Sequence, residues 1–457
     1  MVMKYYLAVY GCQMNISDSE RAAAVLEQLN YKKTLNINEA DLILVTMCSI
    51  RQSAVDRIHS LVEKIDKLKA ERTKTLPTGR QVKAILTGCI LKKDKKIFIE
   101  GFDYVLDIKD IKRIPELLGV KNKIRNKTDY LDITPKYESN FSANVPIMTG
   151  CNNFCSYCVV PYVREREISR PAKSIIQEIT ALTNPTSPRL RGAREIWLLG
   201  QNVNSYKDGQ TTFPELLKLI NDIPGNFWIR FTSSHPKDFS DELINAMATC
   251  KKIKPYLNLP IQSGDDKILK LMKRYYTVES YKNKIKKLKE KIPDIALSTD
   301  IIVGFPGETK TQFDNTVKLF REIKYDLGYI SKYSSRAGTT AAKLKDNVSV
   351  EEKKRREKVL TDVLKQTALE KNKTLIGTTT IVLINESKND FWLGKDEHYR
   401  TIKVYPIKYR EAVISGNPKL FNRVNPKNTK NKIKIGQFIT AKITAVTPFT
   451  LSAEAIE

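Results

Sequence analysis

The chain has 457 residues, of which 41% are hydrophobic and 28% charged, a composition typical of a soluble globular protein. No stretch approaches the roughly 18 uninterrupted apolar residues of a membrane helix. The first residues form a strand-like run rather than a signal peptide, so we expect a cytoplasmic protein with no membrane partner. The 78 Lys and Arg against 51 Asp and Glu give a net charge of +27. This excess favours a nucleic-acid partner, although a lysine-rich proteome would produce it too.

Residues 1 to about 120 alternate between apolar strands and helices. Ser17 to Glu20 have the Ser-x-x-Glu form of a capping box, which predicts a helix that opens there and runs through Leu29. A second helix is predicted from about Ser49 to Lys67. This alternation predicts a parallel sheet with covering helices. Its strands are predicted at Lys4–Val9, Leu42–Thr46 and Lys83–Thr87.

A cysteine follows each of these three strands: Cys12, Cys48 and Cys89, named here the N-terminal triplet. The carboxyl ends of parallel strands share one edge of an open α/β sheet, where ligands bind. We therefore predict that topology assembles a three-thiolate site there. The alternative is three separate buried cysteines, which are common core residues.

A short loop contains three more cysteines, Cys151, Cys155 and Cys158, named here the loop triplet. Thiolates this close can bind zinc, pair in a disulfide or ligate three irons of a cubane cluster. Zinc lacks a nearby fourth ligand, because the next Cys and His are Cys250 and His235. An iron-sulfur cubane cluster needs no fourth protein ligand if its fourth iron stays open for a small molecule. Seven cysteines in all are an odd number, which favours metal ligation over a complete disulfide framework.

From Val145 a second α/β alternation predicts a partial or complete parallel barrel, with the cysteine loop on its working face. Its strands are predicted at Val145–Met148, Glu195–Leu199, Phe227–Phe231, Tyr256–Leu259, Ala296–Val303 and Leu327–Ile330. Its helices are predicted at about Lys173–Leu182, Pro214–Ile223, Ser240–Thr249, Asp265–Met272, Val278–Lys291 and Thr309–Glu322. Glu71–Gln81 and Asn184–Gly192 join a helix to a following strand and are predicted as surface loops away from the ligand edge. The Lys- and Glu-rich segment Ser349–Lys373 predicts a solvated connecting helix.

After Ile376 short β runs predict a small antiparallel barrel. Its strands are expected at Thr378–Ile384, Phe391–Leu393, Thr401–Val404, Phe438–Ala445 and Thr450–Ser452. Between Lys419 and Lys434 there are six Lys or Arg residues and no Asp or Glu. Such a loop can track a phosphate backbone, and a solvated hairpin would have the same composition.

Several motifs together resemble the radical S-adenosylmethionine methylthiotransferase family. They are Gly11-Cys12-Gln13-Met14-Asn15, Met47-Cys48-Ser49-Ile50-Arg51, Gly88-Cys89, Gly150 to Pro161, Leu198 to Tyr206, Leu269 to Arg274 and Asp300 to Glu308. The match spans nearly the whole chain and implies an α/β multidomain fold. The implied parts are an N-terminal parallel α/β sheet domain (1–120), a linker (121–143), a radical-SAM core with a partial (β/α)6 barrel (144–373), and an antiparallel barrel that resembles the RNA-binding TRAM domain (374–457).

The resemblance implies two 4Fe-4S clusters. The loop triplet would hold one, whose open iron binds S-adenosylmethionine; one electron then cleaves that cofactor to a 5′-deoxyadenosyl radical. The N-terminal triplet would hold an auxiliary cluster that carries the sulfur, and a second S-adenosylmethionine would methylate this sulfur. A substrate base would sit between the two triplets. The cofactor contacts expected by position are Tyr157, Gly200, Gln201, Gln262, Ser263 and Gly304.

Within the family, the motifs at Gln13–Asn15, Ser49–Arg51 and Gly200–Asn204 are similar to the MiaB-type branch. That branch methylthiolates carbon 2 of N(6)-isopentenyl (dimethylallyl) adenosine beside the tRNA anticodon. The implied partners are this tRNA, an electron donor such as flavodoxin or ferredoxin, and a sulfur donor, and we expect a monomer. The alternatives are a methylthiotransferase acting on threonylcarbamoyl-adenosine tRNA or on a ribosomal-protein aspartate. In other classes, a non-catalytic iron-sulfur RNA-binding protein and a zinc-binding module remain open.

Three positions depart from the family's pattern. Met47 stands where Thr is usual, Asn258 where His commonly precedes Leu-Pro, and Ala337 where Pro is usual. None of these departures removes a cysteine.

Other polar residues near these motifs have two interpretations. Arg164, Arg166 and Arg170 follow the cysteine loop and are expected either to meet the cofactor carboxylate or RNA phosphates, or to form a solvated run. His235, which follows a strand, is expected to be a hydrogen-bonded structural residue, with a position facing the cavity as the alternative. Cys250 is expected to be a core or surface thiol.

Overall fold

A computed structural model describes residues 2–50, 52–75, 81–120, 129–186, 192–406 and 433–456. Three sheet-based units follow one another along the chain, and the first and last both pack against the middle one. Among these residues no helix combines the length and the apolar character that crossing a bilayer would require.

The N-terminal unit is a five-stranded parallel sheet in the order β2-β1-β3-β4-β5. The strands are β1 (Lys4–Tyr10), β2 (Lys32–Thr34), β3 (Leu42–Cys48), β4 (Lys83–Cys89) and β5 (Tyr104–Val105). The helices are α1 (Gln13–Gln28), α2 (Gln52–Thr75), α3 (Lys92–Phe98) and α4 (Ile114–Leu117). Strand β3 is buried along its whole length, as expected for a parallel sheet covered on both faces. The predicted parallel α/β sheet is confirmed.

Helix α1 begins earlier than the sequence pattern predicted. Cys12 is its N-cap, and the backbone N–H of Cys12 donates to Oδ1 of Asn15 at 3.2 Å. The predicted capping box starting at Ser17 is therefore wrong. Ser17 lies inside the helix, and its hydroxyl donates to the backbone oxygen of Asn144 in the next unit at 3.2 Å. The helix starts at Gln13 because the Asn15 side chain satisfies the backbone N–H of Cys12 at the first turn, as a capping side chain does.

Helix α2 is also longer than predicted, because it continues to Thr75. The first half of the predicted surface loop Glu71–Gln81 is thus helical, and residues 76–80 lie outside the described residues. The second predicted loop, Asn184–Gly192, joins helix to strand as expected where it is described, at 184–186 and at Gly192.

The middle unit is a partial parallel barrel made of two three-stranded sheets, β6-β9-β12 and β13-β14-β15. A single parallel bridge between Ile229 and Ile253 links them. The barrel strands are β6 (Ser142–Pro146), β9 (Glu195–Leu199), β12 (Trp228–Phe231), β13 (Tyr256–Asn258), β14 (Ala296–Val303) and β15 (Leu327–Lys332). Two short two-stranded antiparallel sheets lie outside the barrel. One pairs β7 (Met148–Thr149) with β8 (Ile168–Ser169), and the other pairs β10 (Lys207–Asp208) with β11 (Thr211–Thr212).

The first barrel strand lies nearer the amino terminus than the predicted Val145–Met148. Pro146 ends it, and Met148 pairs instead with Ser169 of β8. The predicted linker therefore ends at residue 141, and 121–128 lie outside the described residues.

The helices of the middle unit follow its strands along the chain. They are α5 (Val160–Val163), α6 (Ala172–Thr183), α7 (Phe213–Asn221), α8 (Asp241–Thr249), α9 (Asp266–Leu271), α10 (Val278–Lys291), α11 (Lys310–Ile323) and α12 (Val350–Lys373). Single 3-10 turns cover Ile37–Glu39, Ile108–Arg113, Tyr130–Asp132, Val203–Ser205, Pro236–Asp238 and Ala341–Lys343.

Helix α12 packs on the barrel and is not the solvated connector that its charge pattern predicted. Leu360, Val363 and Leu364 of this helix belong to the barrel's hydrophobic core. On the same helix Arg356 donates to the buried Glu308 carboxylate at 2.7 Å. The expectation failed because the many charges hide an apolar stripe at helical spacing.

The C-terminal unit is a closed five-stranded barrel in the order β16-β17-β18-β20-β19, which confirms the predicted small β-barrel. Its strands are β16 (Thr379–Ser387), β17 (Trp392–Asp396), β18 (Thr401–Tyr405), β19 (Phe438–Val446) and β20 (Thr450–Ala455). Nearly all of the predicted basic loop 419–434 lies outside the described residues. The turn between β17 and β18 packs against the middle unit. There Arg230 donates to the backbone oxygens of Asp396 and Glu397 at 2.7 and 2.9 Å.

Candidate functional site

A cavity of about 630 Å³ lies where the carboxyl ends of the strands in the first two units face each other. Cys12 lines it from the N-terminal unit, and Cys151, Cys155 and Cys158 line it from the middle unit. A smaller adjoining cavity of about 190 Å³ is lined by Cys12 and Cys89. The chain therefore brings Cys12 and Cys89 of one triplet and all three cysteines of the other to two adjoining cavities.

The N-terminal triplet is assembled by the sheet. Cys48 and Cys89 are the last residues of β3 and β4 and are register partners, and Cys12 caps α1 beside them. A hydrogen bond with Cys48, together with burial, raises the pKa of Cys89 well above its usual value. Burial likewise raises the pKa of Cys12, so both sulfurs are protonated thiols until a metal displaces the proton.

Asn15 and Gly88 hold this triplet together. The Asn15 amide donates to the backbone oxygen of Met47 at 3.2 Å and lies 3.8 Å from the sulfur of Cys89. Gly88 has a φ of +112°, and a Cβ at this position would lie 2.3 Å from the same Met47 oxygen. Only glycine fits here, because any side chain would collide with backbone that cannot move. Met47, one of the departures from the family's pattern, is a fully buried core residue.

The loop triplet is shaped by backbone hydrogen bonds of its own segment. The N–H of Cys151 donates to the oxygen of Glu165 at 3.2 Å, and that of Cys158 donates to the oxygen of Cys155 at 3.0 Å. The Arg274 guanidinium approaches the Cys155 sulfur at 3.6 Å. Burial raises the pKa of Cys158 to about 12.

Both triplets supply cysteine sulfurs alone, which is the donor set that iron-sulfur clusters use. In a cubane cluster each thiolate binds a different iron, so its sulfurs stand further apart than the ligands of one ion. Cys250 cannot complete a zinc site, because it is buried in the hydrophobic core of the middle unit, one of the two places expected for it.

The expected cofactor contacts divide into three groups. Tyr157, Gln201 and Gln262 line the large cavity. The side-chain amide oxygen Oε1 of Gln201 accepts the Gly150 N–H at 2.6 Å. Gly200 lines only the smaller cavity. Ser263 and Gly304 are not among the described residues that line either one. The Ser263 hydroxyl instead accepts the N–H of Asp265 at 3.3 Å, and the Gly304 N–H donates to Glu308 at 2.6 Å.

Many residues that line the large cavity were not predicted from the sequence. A polar rim at the strand ends includes Thr232, Ser233, Ser234, Asn258 and Asp300, and an aromatic floor comprises Trp197, Tyr256, Tyr329 and Tyr399. Asn258, another departure from the family's pattern, donates to Ser298 and to Asp300 at 3.0 and 3.1 Å. Strand alternation could have identified Trp197, Tyr256 and Tyr329, because inward-facing residues of barrel strands are two positions apart. Tyr399, by contrast, comes from the β17–β18 turn of the C-terminal unit.

His235 is hydrogen-bonded, as the sequence predicted, and it also faces the cavity. Its Nδ1 accepts the N–H of Lys237 at 3.2 Å, and its buried Nε2 has no hydrogen-bond partner among the described residues. Burial lowers the pKa of His235 to about 2, so the ring stays neutral and carries its proton on Nε2.

The arginines after the cysteine loop do not line the large cavity as the sequence suggested. Arg164 is buried and donates to Cys89, Tyr130 and Asp18. Arg170 is buried and donates to the Pro146 oxygen at 2.6 Å and to Glu178 at 2.7 Å. Arg166 is exposed and lies 4.4 Å from the Phe154 ring. The solvated run is therefore wrong for the two buried arginines, and Arg164 lines the smaller cavity beside Cys89.

Comparison with known proteins agrees with this geometry. Residues 145–320 match the Radical SAM superfamily, and residues 4–107 match the uncharacterized protein family UPF0004. A tRNA-2-methylthio-N(6)-dimethylallyladenosine synthase of Thermoanaerobacter sp. (strain X514) is 42% identical, over 99% of this chain and 93% of the relative. The chain belongs to this family. A synthase of the same name from Dictyoglomus thermophilum is 39% identical over 99% of this chain and 98% of the relative.

As a member of the tRNA-2-methylthio-N(6)-dimethylallyladenosine synthase family, the chain is a radical S-adenosylmethionine enzyme, which implies a 4Fe-4S cluster and S-adenosylmethionine. Among solved structures, the radical S-adenosylmethionine methyltransferase TsrM from Kitasatospora setae has a TM-score of 0.51 at 14% identity, covering 75% of this chain and 77% of that chain. The cobalamin-dependent S-adenosylmethionine radical enzyme OxsB has a TM-score of 0.51 at 9% identity, covering 80% of this chain and 56% of that chain. At these identities the likeness shows the fold alone.

Proposed function

We propose that the protein transfers a methylthio group to carbon 2 of N(6)-dimethylallyl adenosine beside the anticodon of tRNA. One observation carries the proposal: cysteines of both triplets line a single cavity at facing strand edges. The C–H bond at carbon 2 of adenine is unactivated, so an acid–base pair cannot remove its hydrogen and a radical is needed. The names of relatives across almost the whole chain support the same reaction.

The loop triplet would hold a 4Fe-4S cluster with an open iron for S-adenosylmethionine, and the N-terminal triplet would hold a second cluster that carries the sulfur. Two molecules of S-adenosylmethionine would be used per turnover, one as radical source and one as methyl donor. The cofactors supply the radical and the methyl group, and the chain supplies position and exclusion of water. Tyr157, Gln201 and Gln262 are the contacts best placed to orient S-adenosylmethionine, because they line the cavity.

The chain's own groups suit a buried adenine. The His235 ring offers an unpartnered N–H at the cavity wall, and the Asp300 carboxylate, which accepts from Asn258, lines the same cavity from β14. The aromatic floor beneath them gives the cavity apolar surface. The tRNA backbone would be held by the protein's net charge of +27, with the C-terminal barrel as the RNA-binding domain.

The remaining partners follow from the chemistry. Cleaving S-adenosylmethionine consumes an electron, which a flavodoxin or ferredoxin would deliver, and the transferred sulfur must come from a separate donor. We expect a monomer that acts in the cytoplasm.

The test is an anaerobic assay with tRNA that carries dimethylallyl adenosine, followed by nucleoside mass spectrometry. The reconstituted protein, with S-adenosylmethionine, dithionite and sulfide, should produce the 2-methylthio nucleoside. The same tRNA without the dimethylallyl group serves as the matched control and should stay unmodified. Modification of threonylcarbamoyl-adenosine tRNA or of a ribosomal protein instead would overturn the substrate assignment.

A further inference from the structure

A buried arginine joins the two cysteine triplets. Arg164 lies six residues after Cys158, at the end of α5, yet its Nε donates to the sulfur of Cys89 at 2.9 Å. Its Nη1 donates to the Tyr130 hydroxyl at 3.2 Å, and its Nη2 pairs with the Asp18 carboxylate. The side chains of Arg164 and Asp18 are 2% and 0% exposed.

We propose that Arg164 is a positioning residue that sets the reduction potential of the cluster held by the N-terminal triplet, which deepens the proposed function and rests on its two-cluster assignment. The residue comes from the segment that carries the other cluster. Its fixed planar fork reaches a sulfur, a carboxylate and a phenol at once, which a lysine cannot do.

The direction of the effect follows from electrostatics. A cluster gains negative charge when it accepts an electron, and a buried cation bonded to a ligand sulfur stabilises that charge. Hydrogen bonds to the sulfurs are among the features that set iron-sulfur potentials. Arg164 therefore raises the potential. Asp18 offsets part of this effect, because its carboxylate is paired with the same guanidinium.

Two substitutions should thus shift the potential in opposite directions. Arg164→Gln removes the cation and makes the cluster harder to reduce. Asp18→Asn leaves the guanidinium without its counter-charge and makes the cluster easier to reduce. General structural damage would not produce shifts of opposite sign. Arg164→Lys keeps the charge without the fork and should fall between Arg164→Gln and the parent.

The experiment uses the full-length chain with all three loop-triplet cysteines changed to Ala, so that only the N-terminal triplet binds a cluster. After anaerobic reconstitution, an EPR-monitored redox titration gives the midpoint potential of each variant. Arg166→Gln is the matched control, because Arg166 lies on the same segment but is exposed and stacks on Phe154. It should leave the potential unchanged.

The expected result is a lower potential in Arg164→Gln and a higher one in Asp18→Asn. Iron retained with an unchanged potential in Arg164→Gln, or shifts of the same sign, would overturn the role of Arg164 while leaving the two-cluster assignment intact. If Arg164→Gln fails to bind iron, Asp18→Asn decides the matter by itself, and an unchanged potential there refutes the proposal. If the parent binds no iron, the two-cluster assignment fails and this proposal fails with it.

Discussion

Glu308 joins the end of barrel strand β14 to helix α12, and its removal should destabilise this contact more than any surface change nearby. Its carboxylate accepts the N–H of Gly304 at 2.6 Å and Nη1 of Arg356 at 2.7 Å. The side chains of Glu308 and Arg356 are 1% and 5% exposed. Arg356 also pairs with Glu352, whose side chain is 29% exposed. One arginine thus provides a buried partner and a matched exposed partner.

The magnitude follows from the difference in burial. Glu308→Ala leaves a guanidinium without its buried counter-charge, which costs about 3–5 kcal/mol. Glu352→Ala removes two partly exposed ion pairs within one helix, with Arg355 and Arg356, and each costs about 0–1 kcal/mol. Both substitutions remove a carboxylate from the same arginine, but Glu308→Ala also leaves the buried Gly304 N–H without its acceptor, so the larger cost belongs to the buried carboxylate and both of its partners.

Native-state hydrogen exchange of peptides from α12 and β14 measures the cost locally, which suits a chain of several units that need not unfold in one step. Exchange in these segments should be far faster in Glu308→Ala and close to the parent in Glu352→Ala. Equal protection in the two variants would refute the reasoning. A larger loss in Glu352→Ala would refute it too.

Three further outcomes are expected. Burial raises the pKa of Glu20 to about 7, above its unfolded value of about 4.3, so the folded state loses stability as the pH rises through that window. Hydrogen exchange of α1 peptides, corrected for the intrinsic pH dependence of exchange, should show that Glu20→Gln removes this slope and adds about 3–4 kcal/mol of local stability at pH 8, and an unchanged slope would contradict it. Gly88→Ala should lose the iron bound at the N-terminal triplet, whereas Gly119→Ala, also at positive φ but facing open space, should keep it in iron analysis. Tyr399→Ala removes a ring that contacts Tyr256 at a tilt and Trp197 edge to face, with centroid distances of 4.8 and 4.9 Å, and should expose the C-terminal barrel to limited proteolysis. Unchanged cleavage would count against the docking contact.

The strands, and the location of the N-terminal triplet at their carboxyl ends, could be predicted from the sequence, because apolar runs and strand ends are local features. The parallel topology then places Cys12, Cys48 and Cys89 at one edge. By contrast, the hydrogen bond between Arg164 and Cys89 joins residues 75 positions apart on different units, and no periodicity signals it.

Other differences have local causes. Helix α1 starts at Gln13 because Cys12, an unusual capping residue, is supported by the Asn15 side chain, so the more familiar Ser-x-x-Glu pattern misled the prediction. The cavity position of His235 depends on where the preceding strand ends, which is the least predictable part of an element.

The central claim is that one chain carries two iron-sulfur clusters on two cysteine triplets that face one cavity. Iron and sulfide analysis after anaerobic reconstitution tests it most directly. The full chain should bind about eight irons, and alanine substitution of either triplet should leave about four. About four irons in the full chain, lost entirely when the loop triplet is replaced, would contradict the claim.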